Sequence, residues 1–191
     1  MIGRLFSRGN GFVCIVRSYM TTAVFEVHLI QGHDVEELDE VALGRITEGL
    51  IEGMDPLEGA LVIDDGRARA AIIDELASAV QGLCFEAVTA LIERPAESYR
   101  YRYFNTDTMA RISSSGSPVQ GICLVLVGQG IPATQHDPEA LLVALYQCGI
   151  RYLEWLERIG REGHVSAATV VARLRPLAAE AHAALASRGW A

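Results

Sequence analysis

The sequence predicts an α+β fold in one domain: a mainly antiparallel sheet of about five to six strands covered by four to five helices. Short runs of alternating apolar and polar residues, the mark of half-buried strands, recur in the first quarter and the middle of the chain. Longer segments repeat apolar residues every three or four positions, which lines one face of a helix. No internal repeat or linker separates these segments, so they share one core.

Residues 12–18 and 23–30 are rich in β-branched and aromatic residues, and Tyr19 to Thr22 between them suit a hairpin. In the second run Phe25, Val27 and Leu29 alternate with Glu26 and His28, predicting a half-buried strand with a solvated face. Met20 stands just ahead of this strand, so residues 1–19 read as an N-terminal extension or an edge strand and 20–191 as the domain proper. Asp34 followed by Glu37 has the form of a capping box, and Leu38, Ala42, Ile46, Leu50 and Met54 recur every four residues, predicting a helix over 35–53. Asp55-Pro56 closes it, and Ala60 to Ile63 form a short strand ending in the turn Asp64-Asp65-Gly66.

From Ala68 to Glu93 the line Ile72, Ile73, Leu76, Val80, Leu83, Ala87 and Leu91 predicts the longest and most buried helix, stopped by Pro95. Tyr99, Tyr101 and Tyr103 alternate with Arg100 and Arg102, and Asn105-Thr106-Asp107 turns the chain into Thr108 to Ser113, a hairpin with a tyrosine face and an arginine face. Val119 to Val127 is apolar on both faces and reads as a central strand, broken by Gly128-Gln129-Gly130 and Pro132. Asp137-Pro138 starts a helix carrying Leu142, Leu145, Tyr152, Leu156 and Ile159 on one side. A last helix begins near Ser166, is kinked or interrupted at Pro176 and runs out at Gly189.

Composition narrows the function classes. Half of the 191 residues are hydrophobic and 21% are charged, enough to bury a core without disulfide or metal staples. The formal charge is −8, and all 16 basic residues are arginine, scattered along the chain, which argues against a phosphate-backbone binder. Stacking of single-stranded bases on the tyrosine and arginine run is disfavoured for the same reason. Cys14, Cys84, Cys123 and Cys148 fall in no CxxC spacing and three lie in apolar stretches, so they read as buried free thiols of a reducing compartment. His28, His33, His136, His164 and His182 form no ligand motif, and no Ser stands in GxSxG, so no catalytic residue, metal or cofactor is assigned. Arg17 cuts the apolar stretch after Arg4 and Arg8 short, no A-x-A site follows, and the run Ile122 to Val127 is far below the ~20 residues of a membrane helix. The expected setting is the cytoplasm, away from membranes.

The location of the charge is the most informative feature. Nine acidic residues lie between Asp34 and Glu58 against one basic residue, Arg45, while the rest of the chain carries 15 of each sign. On a helix, Glu36, Glu40, Glu48 and Glu52 share the face opposite the apolar line, forming an acidic ridge. Such a ridge can be a plain solvated face; read functionally, these four residues are the partner-binding set. The expected function is a small acidic protein-binding module, an immunity protein or antitoxin that neutralises a toxin or effector with a basic surface. Homodimerisation is compatible with this reading. The alternatives are a secretion chaperone or adaptor holding an extended segment, and an enzyme whose nonlocal site lies near Asp64 and Asp65, which follow a strand as metal- or phosphate-binding carboxylates often do.

Overall fold

A computed structural model describes residues 21–31, 34–43, 58–95, 97–102, 109–115, 123–128, 131–161 and 165–191. The strand runs build two antiparallel sheets. The first contains β1 (Thr22–Gln31), β2 (Asp34–Asp39), β3 (Glu58–Asp64) and β4 (Arg69–Glu75) in the order β2-β1-β3-β4. Its inner face takes Phe25 and Val27 from β1, Leu38 from β2, Leu61 and Ile63 from β3, and Ala70 and Ile72 from β4, all buried. A four-residue helix, α1 (Glu40–Leu43), follows β2, and Asp39 caps it by accepting the Ala42 N–H at 2.7 Å.

The second sheet contains β5 (Ser98–Arg102), β6 (Met109–Ser115), β7 (Cys123–Gly128) and β8 (Ile131–His136) in that order. The tyrosine hairpin is therefore β5–β6, and the strand read as central is flanked on both sides. The strand breaks at Gly128 as expected, and Pro132 falls within β8, the last strand of this sheet, where proline is tolerated. The α+β class stands, with eight strands in two sheets among the described residues where one sheet of about five to six strands was expected. The two sheets approach each other along β4 and β8.

Helices pack against the sheets and against one another. The run Leu76–Glu93 is one continuous helix, α2, with a π-helical stretch at Val80–Glu86 between two α-helical ends. It is long and apolar enough to cross a bilayer, but 67% of it is buried inside the fold, where it serves as a core helix. α3 (Pro138–Arg161) starts as expected, with the Asp137 carboxylate accepting the Ala140 N–H at 3.0 Å, and buries Leu142, Leu145, Tyr152, Leu156 and Ile159. α4 (Val165–Ser187) runs through Pro176 without interruption and ends in left-handed Gly189, where Trp190 N–H returns to Leu185 O at 3.0 Å.

Two predicted helices start late. Over 35–53, residues 34–39 are strand and helix begins only at Glu40; residues 44–53 lie outside the described ones. The cause is nonlocal: β1 offers a full ladder from Gln31↔Asp34 to Glu26↔Asp39, which also sets Leu38 against Val27 in the core. Over 68–93, residues 69–75 are β4, because pairing with β3 buries Ile72 opposite Leu61 and turns Ile73 outward. α3, with 24 residues, is thus the longest helix among the described residues. His28, expected on a solvated face, is buried at 8% exposure.

Candidate functional site

The outer face of the first sheet collects charge that the sequence scatters. Alternation along each strand points Glu26 of β1, Glu37 and Asp39 of β2, Glu58 and Asp64 of β3, and Glu75 of β4 to this one face. Among the described residues of these strands one guanidinium stands against them, that of Arg69, which pairs with Glu26. Glu26 lies directly opposite Asp39, and Glu58 directly opposite Glu75, arrangements in which like charges destabilise a sheet. Between the carboxylates runs an apolar strip in which Ala60 and Val62 are buried, Val24 is half-buried, and Ala71 and Ile73 are exposed. Ile73 is 61% exposed, and Val41 on α1 64%; they are the two exposed large hydrophobic side chains among the described residues.

The four carboxylates named from sequence fare unevenly. Glu36 is exposed, but on β2 it shares the inner-side face with Leu38, opposite to Glu37 and Asp39. Glu40 opens α1, and Glu48 and Glu52 lie outside the described residues. The helical ridge is therefore not assembled over 36–39. The strand places Glu37 and Asp39 on the charged face instead, and a period-two reading of 34–39 would have separated these sets. His28, directly opposite Glu37, keeps a buried Nε2 with no hydrogen-bond partner.

At the β3–β4 turn, Asp65 is committed to the backbone. Its Oδ1 accepts the N–H groups of Arg67 at 2.7 Å and Ala68 at 2.8 Å, and its Oδ2 accepts that of Gln135 on β8 at 3.4 Å. Burial raises its pKa, but these N–H donors and neighbouring His136 outweigh burial and hold it below the ordinary carboxylate value. Asp64 accepts the Gly66 N–H at 2.6 Å. His136 is buried, with Nδ1 3.1 Å from Thr21 Oγ1 and Nε2 2.8 Å from Thr134 Oγ1. One ring nitrogen thus donates to a hydroxyl and the other accepts from one, which suits a neutral imidazole. Burial lowers its pKa, and the Asp65 and Asp64 charges recover part of the shift. Both oxygens of Asp65 accept backbone N–H groups, so the two aspartates read as a turn and a join between sheets.

The tyrosines face α2. Tyr101 is buried and donates to Asp74 Oδ2 at 2.6 Å, while Tyr99 donates to Glu86 at 3.0 Å and is pushed well above its ordinary pKa by burial and by that carboxylate. Arg100 and Arg102 are exposed; Tyr103 lies outside the described residues. A groove of about 650 Å³ between α2 and α4 is lined by Thr89, Ile92, Glu93, Glu180 and Arg188, and Arg188 already donates to Ile92 O at 2.9 Å. Compared with known protein families, with curated proteins and with solved structures, the chain matches none.

Proposed function

We propose that the chain is a protein-binding module of the cytoplasm that neutralises a basic partner, a toxin or effector, by direct binding, as an immunity protein or antitoxin does. The outer face of the first sheet is the binding surface in this reading, which moves the partner-binding set from Glu36, Glu40, Glu48 and Glu52 to Glu37, Asp39, Glu58 and Glu75 around Ile73. One observation carries it: four strands contribute six carboxylates and one arginine to a single face that also exposes a large aliphatic side chain. An apolar patch within a charged rim is the common anatomy of a protein interface, and the excess of one sign steers a partner of the other. The commitment of Asp65 to backbone donors favours this reading over a site at Asp64 and Asp65.

The test is the double reversal Glu37→Arg and Glu58→Arg, made in the full chain. Both residues are exposed, so urea stability should change by no more than about 0.5 kcal/mol. Association with the partner captured from the native host should slow by about tenfold at low salt and lose part of its salt dependence. A partner that binds the reversed protein at an unchanged rate, or one with an acidic surface, would sink the proposal.

A further inference from the structure

The geometry points to Cys84 and Cys148 as a dithiol site that closes to a disulfide between α2 and α3 when these helices part and a low-molecular-weight disulfide enters. The sequence spaces the two thiols 64 residues apart, yet both are fully buried and unpaired as a disulfide, and Cys148 is a neighbour that acts on the Cys84 thiol. The approach is enforced by neighbouring residues. Cys84 sits in the π-helical stretch of α2, and Gly149 follows Cys148 on α3. A Cβ placed on Gly149 would lie 2.8 Å from Cys84 Cβ and 2.7 Å from the Phe85 ring, so only glycine lets the two backbones come this close. Disulfides need Cβ atoms roughly 3.5–4.5 Å apart, and the close approach of Gly149, the residue next to Cys148, to Cys84 Cβ brings the pair toward that range.

In the closed fold the thiols are protected. Burial pushes the Cys84 thiol well up, the contact with Cys148 adds to this, and the Arg151 charge offsets only part. Reaction therefore requires local opening, in which one thiol loses its proton and attacks glutathione disulfide, expelling one glutathione thiolate. The second thiolate then attacks the protein sulfur of the mixed disulfide and expels the second. The balance is two protein thiols and one glutathione disulfide giving one protein disulfide and two molecules of glutathione, the two protons passing to the leaving thiolates.

The natural full chain, incubated with glutathione disulfide in urea below the unfolding midpoint, tests this. Chymotrypsin cuts between Cys123 and Cys148, so mass spectrometry can assign the bond. The expected result is a loss of two hydrogen masses, a linked peptide pair containing Cys84 and Cys148, and a melting temperature higher by about 5–10 °C that dithiothreitol reverses. In Cys84→Ala, reaction at Cys148 should stop at the mixed disulfide. Bonds made instead to Cys14 or Cys123, or glutathione remaining on both Cys84 and Cys148, would overturn the proposal.

Discussion

His136 shows how a residue with a neutral buried ring sets a pH limit on the fold. Its folded pKa lies below the ordinary 6.5 because burial disfavours the imidazolium. The unfolded chain therefore binds a proton that the folded chain refuses, so this contribution is fully present above about 6.5 and is lost as pH falls from there toward the folded value. Asp65, also depressed, acts in the same direction further into acid. Urea midpoints at about pH 7.5 and about pH 5.5 should show the natural protein losing roughly 1 kcal/mol more than His136→Asn over this interval. Equal losses would mean that the ring takes up its proton in the folded state. The sequence contained this histidine but not its partners: Thr21 is 115 residues away and meets it only in the folded chain.

Among the elements, the contact of α2 with α3 has the least room. Gly149→Ala would drive a methyl group into the Phe85 ring at 2.7 Å, and the crowding should cost about 1–3 kcal/mol in urea unfolding; a neutral result would show that α3 can slide. Elements whose signals are local were legible. Asp137-Pro138 starts α3 and Gly189 ends α4, because capping and a left-handed turn need only neighbours in the chain. Elements decided by a distant ladder were not. Residues 34–39 fit a helix by spacing as well as a strand, and β1 decided between them. Ile72 and Ile73 likewise extend the apolar line of α2, but β3 claims Ile72 and leaves its neighbour in water.

For the molecule as a whole, Asp65 is a joint, closing the β3–β4 turn and holding Gln135 of the other sheet. Asp65→Ala strands three backbone donors and should cost about 2–4 kcal/mol, read as a lower urea midpoint with an unchanged slope. A loss under about 0.5 kcal/mol would show that water replaces the carboxylate freely. The acidity of the candidate surface was legible only in part: the excess between Asp34 and Glu58 stood out, but Glu26, Asp64 and Glu75 join it through cross-strand register, which composition does not contain. That shared register also governs how copies of the protein meet one another. Two such faces brought together would oppose up to twelve carboxylates with two guanidiniums from these strands, so the exposed Ile73 is shielded from self-stacking while it stays open to a cationic stranger. Salt at about 1 M shrinks the reach of those charges to roughly 3 Å. Concentrated brine should then release the partner and invite the molecules to precipitate onto each other through the same patch.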